Sequence, residues 1–298
     1  MTASAFLITV NYKGEQSTLE LLASLSRLSE FSSLDVIVVD NGSGEENLSQ
    51  LRAAIESLPN VQLLKSATNR GYFGAAKFAY DHYLGQGHEL PDWTIVCNHD
   101  IVIDDPDFLL KLSSEDWRSA GVLAPRVRLA ESGTDQNPFM RHRPGWFRRA
   151  SLRLVYSNYP FAILWDWLSY KKRALNQRIH SLPSKRILKR ENIYAAHGSC
   201  FIFSKQFFEA GGFLDDDLFL YGEEISVAEI CRSLGLPIIF DPVLSLSHNE
   251  HTSVGQAVSR FSYGCQKKAL RHVTARYFAG GREATKRPEL DPSPANSE

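Results

Sequence analysis

The first hundred residues repeat one pattern: a short apolar run, a polar turn, then a segment with leucine or alanine at helical spacing. Residues 6–10, 34–39, 61–64 and 93–97 predict strands, and residues 17–28, 48–58 and 74–84 predict the helices between them. Ser17, with Glu20 three residues on, reads as a capping box for the first helix. Strands apolar along their whole length are buried on both faces. Helices alternating with them give a mostly parallel α/β sheet flanked on both sides. In such sheets ligands bind beyond the carboxyl ends of the strands, so the residues just after each strand carry the functional argument.

Those residues are polar every time: Asn11-Tyr12, Asp40-Asn41-Gly42-Ser43, Asn69-Arg70-Gly71-Tyr72-Phe73-Gly74 and Asn98-His99-Asp100. Any one of them suits an ordinary turn or helix cap. Four at one edge of one sheet describe a site. Asp40 at a strand end can accept hydrogen bonds from a ribose or a base, with Asn11 beside it. Arg70, beside two glycines and before a helix, suits a diphosphate: a fixed cation near open backbone N–H groups. Asp100 offers a carboxylate to a hard divalent ion, and His248 is a candidate second ligand. No G-x-G-x-x-G and no Walker A lysine occurs, so the site expected is for a nucleoside diphosphate with a metal, not a dinucleotide.

The middle of the chain differs in composition. Residues 139–190 hold thirteen Lys or Arg and one acid, Asp166, leaving 20 basic against 33 acidic residues elsewhere. The overall net charge of -1 excludes a globally basic nucleic-acid binder. The same segment carries Trp146, Phe147, Tyr156, Tyr159, Phe161, Trp165, Trp167 and Tyr170, a basic and aromatic helical insertion. It reads either as an element lying on an anionic membrane surface or as a helical subdomain packed on the core. After it, residues 194–203 predict a strand, 205–210 a short helix, 226–234 a helix stopped by Gly235, and 237–240 a strand. We expect one domain over residues 1–279 and a disordered polar tail from 280 to 298. The four cysteines form no C-x-x-C pair, and free thiols in a reducing compartment are expected. Residues 1–11 lack the basic start of a signal peptide, and no run reaches bilayer-spanning length. The expected location is the cytoplasm, or peripherally the inner face of the cytoplasmic membrane.

Over residues 5–255 the chain resembles the family 2 inverting glycosyltransferases of GT-A fold, in the bacterial polysaccharide group that includes rhamnosyltransferase-like enzymes. The marks are Val10-Asn11-Tyr12, Val38 to Ser43, Asn69-Arg70-Gly71 with Gly74, and Asn98-His99-Asp100 in the place of the D-x-D-like metal motif. His197-Gly198-Ser199-Cys200, Gly211-Gly212-Phe213, Phe219 to Glu224, and His248 with Ser253 complete the set. The resemblance implies a nucleotide-binding Rossmann-like sheet. Asn11, Asp40, Asn41, Arg70, Gly71, Asn98 and His99 would bind the nucleotide sugar, and Asp100 and His248 a Mg²⁺ or Mn²⁺ ion. Gly198, Asp215, Asp216 and Tyr221 would lie on the acceptor side. The general base falls on Glu224, with Glu223 the alternative, because the family's second acid is Ser226 here. The metal motif has also lost its first carboxylate to Asn98. The implied donor is a UDP- or dTDP-sugar and the acceptor a glycan, free or linked to a polyprenyl diphosphate, in O-antigen-like cell-surface polysaccharide synthesis.

Two other readings compete. A sugar-phosphate nucleotidyltransferase needs a glycine-rich basic loop after the first strand, where Asn11-Tyr12-Lys13-Gly14-Glu15 offers one glycine. A catalytically degenerate transferase that only binds within a polysaccharide assembly complex is kept open by Asn98.

Overall fold

The expected alternation holds in the computed structural model, which describes residues 3–44, 48–114, 117, 119–179, 188–249 and 259–279. The side chains of residues 170 and 172–179 are outside that description, as are Ser253 and the tail expected from residue 280. The first third runs β1 (Ala5–Asn11), α1 (Glu15–Leu25), β2 (Leu34–Asp40), α2 (Ser49–Glu56), β3 (Val61–Lys65), α3 (Tyr72–Gly85) and β4 (Trp93–Asn98). Next come β5 (Ile101–Val102), α4 (Phe108–Leu112), β6 (Val122–Leu129), and the helices of the insertion, α5 (Trp146–Val155) and α6 (Tyr159–Ile179). The last third is β7 (Glu191–Ile193), β8 (Cys200–Ser204), α7 (Lys205–Glu209), α8 (Glu223–Leu234), β9 (Ile238–His248) and α9 (Arg260–Val273), which runs into a π-helical turn, Thr274–Phe278.

The described strands form one sheet in the order β3-β2-β1-β4-β8-β6-β9-β5, with β7 on β9. Strands β1 to β4 are mutually parallel, and β6 is parallel to β9. Strand β8 runs antiparallel between β4 and β6. All seven residues of β1 are buried. Phe6, Ile8 and Val10 enter the core under α3 and α8, while Ala5 and Leu7 enter the core under α1, α2 and α4. Period-two alternation into two apolar layers is why the strand reads as an unbroken apolar run. The register sets Asn11 beside Asp40 and Val10 beside Asn98, so the polar strand ends meet at one edge.

Several expected boundaries move for local reasons. Helix α1 starts at Glu15, not Ser17. Asn11 closes the turn instead: its Oδ1 accepts the Gly14 N–H at 3.1 Å and the Thr18 hydroxyl at 3.2 Å, and Ser17 is buried within the first turn. The strand expected over 194–203 is broken, because Tyr194 and Ala195 pair with Met140 outside the sheet and pairing resumes at Cys200. Strand β9 continues well past 240, to His248. Helix α8 begins at Glu223, so the acidic pair lies in its first turn. The four cysteines are free, as expected, with Cys97, Cys200 and Cys231 buried.

Candidate active site

The loop between β3 and α3 is pinned to the end of β2 by one side chain. Asn41, 2% exposed, donates from Nδ2 to Asn69 Oδ1 at 3.0 Å and to the Gly71 carbonyl at 3.1 Å. Its Oδ1 accepts the Arg70 N–H at 2.8 Å. Both polar atoms of the side chain are engaged, so Asn41 shapes the loop. Asn11 is committed in the same way through Oδ1, although its buried Nδ2 has no partner. Asp40, also buried, accepts the Ser43 N–H at 3.2 Å and fixes the turn after β2. Arg70 is exposed, and its guanidinium is steadied by Ser66 Oγ at 2.9 Å and the Phe78 ring at 4.4 Å. Gly71 is required: φ is +76°, and a Cβ would sit 2.1 Å from the Phe219 carbonyl oxygen. That carbonyl accepts the Tyr72 N–H at 3.0 Å, joining this loop to the segment that leads into α8.

Beyond β4, Asn98 donates its backbone N–H to the Ser199 carbonyl at 2.9 Å, and the His99 ring lies over Gly14. Asp100 Oδ1 is 3.0 Å from His248 Nε2, while His248 Nδ1 is 2.7 Å from Gln136 Oε1. Asp100 and His248 thus set a carboxylate oxygen and a ring nitrogen side by side, with Gln136 orienting the ring from its other nitrogen, a donor set that fits a shared divalent cation. Burial opposes ionisation of Asp100, but the His248 hydrogen bond and charge, with His99 adding, outweigh it and hold the carboxyl below its usual range. His197 lies near, its ring 6.3 Å from that of His248. Burial, then the charge of His248, pushes His197 down to about 4, so it stays neutral.

Glu223 and Glu224 open α8 after a left-handed turn at Tyr221 (φ +70°) and Gly222 (φ +92°). Gly222 is backed by Val273 and Ala269 of α9, which come within 3.5 Å of where its Cβ would be. Glu224 lies against Gly198, its Oε1 2.9 Å from where a Cβ there would sit, and burial raises its pKa. Glu223 is 5% exposed, and its Oε1 has no partner among the described residues. Burial first, then the charge of Glu224, pushes it up to about 8. Tyr72 links the two halves. Its enclosed hydroxyl has no partner among the described residues, and besides burial the charges of Glu223 and Asp100 both act on it.

The sequence and the architecture match known proteins. Residues 4–212 match Glycosyl transferase family 2, well over half of the chain. The chain belongs to glycosyltransferase family 2. This glycosyltransferase is 27% identical over 264 residues to the N-acetylglucosaminyl-diphospho-decaprenol L-rhamnosyltransferase of Mycobacterium tuberculosis, covering 86% of this chain and 79% of that one. It is 25% identical over 244 residues to the low-salt glycan biosynthesis hexosyltransferase Agl10 of Haloferax volcanii, covering 82% of this chain and 66% of that one. Its fold is that of GalNAc-T7, crystallised with UDP, GalNAc and Mn²⁺: TM-score 0.60, 14% identity, 92% of this chain and 48% of that structure. The mannosyltransferase PcManGT from Pyrobaculum calidifontis, crystallised with GDP-Man and Mn²⁺, gives TM-score 0.50 at 16% identity, over 93% and 62% of the two chains. The glycosyltransferase thus spans about half to two thirds of these solved structures, and GT-A is its fold.

Two residues expected on the acceptor side of this glycosyltransferase are engaged elsewhere. Asp216 is exposed and faces Lys77 of α3 at 3.8 Å. Asp215 is buried: it accepts from His272 Nε2 at 2.8 Å and from the Tyr277 hydroxyl, with Arg276 at 3.6 Å. Asp215, Asp217 and His272 lie within metal-chelating range of one another, but Arg276 stands 3.2 Å from Asp217 and already supplies the positive charge. This network fastens α9 to the loop before α8. Tyr221 is exposed and bonded to Ser262 of α9 at 2.8 Å, and Gly198 faces Glu224. The residues not anticipated are Tyr72, Gln136 and the whole of α9. The position of Tyr72 in the loop after β3 was a usable signal, and Gln136 had none.

Proposed function

We propose that this glycosyltransferase moves a sugar from a UDP- or dTDP-sugar to a hydroxyl of a glycan carried on a polyprenyl diphosphate, with inversion, in cell-surface polysaccharide synthesis. One observation carries the reading. The loop after β3, which carries Arg70, is tied at the carboxyl edge of the sheet to the segment that leads into the Glu223–Glu224 turn, through the Tyr72 N–H on the Phe219 carbonyl at 3.0 Å. The acceptor class rests on the name of the mycobacterial relative. Asp40 takes the base or ribose, and Arg70 takes the diphosphate. Glu224 removes the proton of the acceptor hydroxyl as its oxygen attacks the anomeric carbon, and the bond from that carbon to the diphosphate oxygen breaks on the opposite face. A raised pKa suits this role, because the base then holds the proton more firmly during transfer. Asp100 and His248 would hold Mg²⁺ or Mn²⁺, which supplies positive charge to the departing diphosphate.

The apolar face of α6 supports work at a membrane. Phe161, Leu164, Trp165, Trp167 and Leu168 are exposed there, with Lys171 over the Trp167 ring at 5.7 Å. No helix among the described residues is long and apolar enough to cross a bilayer. We place the enzyme peripherally on the inner face of the cytoplasmic membrane.

The test is a thermal-shift screen of nucleoside diphosphates and nucleotide sugars with Mg²⁺ or Mn²⁺, followed by transfer assays with and without EDTA. Stabilisation by one nucleotide, with activity lost in EDTA and restored by metal, supports the reading. Full activity in EDTA would remove the metal from it. Donor binding without transfer or hydrolysis would favour the degenerate binding component, which Asn98 in the metal motif supports.

A further inference from the structure

Helices α5 and α9 flank an open cavity of about 570 Å³ that belongs to neither the donor loops nor the carboxylate pair. Three cations line it: Arg153 at the end of α5, and Lys267 and Arg271, one turn apart on α9. Tyr156, Leu270 and Thr274 supply further wall. Lys267 is held in position by the Ser157 carbonyl at 2.8 Å and the Tyr263 hydroxyl at 3.2 Å. Arg153 and Arg271 are exposed, and among the described residues no carboxylate pairs with any of the three.

The charge is not the mixed surface of a solvated helix. Residues 260–278 contain five Lys or Arg and no acid, in a chain that is otherwise acidic outside the insertion. A second copy meeting this face about a two-fold axis would bring like charges together, which disfavours a homodimer there. Clustered cations over a wall of leucine, tyrosine and alanine suit an anion joined to hydrocarbon. Helix α5 extends the apolar part with exposed Trp146, Phe147 and Leu154. The opposite flank of α9 packs Ala269 and Val273 against Gly222, the residue before the carboxylate pair, and Ser262 holds Tyr221. One helix therefore backs the catalytic turn on one side and walls the cationic cavity on the other.

We propose that this cavity binds the phosphate end of a phosphorylated polyprenyl lipid, the carrier of the acceptor glycan. Arg153, Lys267 and Arg271 hold the phosphate oxygens, and the first isoprene units lie along α5. The inference rests on the lipid-linked acceptor proposed above.

Calorimetry on the full chain tests it, with farnesyl diphosphate, inorganic pyrophosphate and phosphatidylglycerol vesicles as separate probes. Wild type should bind farnesyl diphosphate more tightly than pyrophosphate. The exposed double variant Arg153→Gln/Arg271→Gln should lose about ten- to a hundredfold of that affinity. The variant Arg70→Gln should lose little, and vesicle binding should hardly change in the double variant. If wild type does not prefer farnesyl diphosphate, the carrier reading and this site fall together. Should wild type bind while the double variant binds equally well, only the site falls. Loss in Arg70→Gln instead would move the diphosphate to the donor loops. Loss of vesicle binding without loss of farnesyl diphosphate would make the cavity a bulk phospholipid site.

Discussion

Two adjacent glutamates divide their work by environment. Glu224 lies against Gly198 and is half-buried, whereas Glu223 is sealed. Glu224→Gln should cut turnover by ~10²–10⁴-fold with donor affinity nearly unchanged, read by steady-state kinetics and by nucleotide calorimetry. A larger loss in Glu223→Gln would reverse the roles. Glu223 makes a separate prediction about stability. Burial lifts its pKa from 4.5 to about 8, so between those values the unfolded chain has released a proton that the folded chain still holds. Stability from this group is complete below the lower value and is lost as pH rises through the upper one. Glu223→Gln removes the titration. Its gain in melting temperature over wild type should therefore grow from about pH 5 to about pH 8 and then level off. A gain that is flat with pH would mean that Glu223 is ionised and paired in the folded protein.

At the scale of elements, the proposed donor edge depends on a few side chains that hold its backbone in shape. Asn41→Ala removes three hydrogen bonds holding residues 69–71 and should cost about 1–3 kcal/mol in a urea melt, with weaker nucleotide binding. Unchanged stability would mean that the loop holds its shape without the staple. The strands of this edge were legible because short apolar runs recur between segments of helical spacing. Asp40, Arg70 and Asp100 were legible as the polar residues that end them. Asn41 and Asn11 were found, but the backbone work they do was not, since an asparagine that caps a turn and one that meets a ligand look alike in a sequence. Asp215 misled for a related reason: its partners His272 and Tyr277 lie 57 and 62 residues away. Helix α9 was missed because its tyrosine, glycine and cations obscure the apolar stripe, of which only Ala269 and Val273 are buried. The break between β7 and β8 was invisible because it comes from a tertiary pairing with Met140.

For the whole molecule, the uneven charge is the organising fact. The insertion was readable as basic and aromatic, and its two helices form as expected. Not all of its cations are free for lipid, however, since Arg149 and Arg143 both lie on the Phe278 ring, at 4.4 and 4.8 Å. Arg148 and Lys171 remain exposed beside exposed Phe147 and Trp167. Each cation near an anionic surface contributes ~1 kcal/mol, and salt screens it. The enzyme should co-sediment with phosphatidylglycerol vesicles at low salt, less at high salt, and little with neutral vesicles. Arg148→Gln/Lys171→Gln should weaken the binding severalfold. Equal binding to neutral and anionic vesicles would remove charge from the account.

The joint between Tyr72 and Phe219 is made of main chain alone, N–H to carbonyl. A main-chain joint is indifferent to the side chains around it. If Arg70 meets the donor as proposed, its exposed side chain can therefore be exchanged without re-aiming the turn before α8, provided residue 71 stays glycine and the 213–222 segment keeps its length. Chimeras that exchange donor loops between relatives have in this joint a natural splice point.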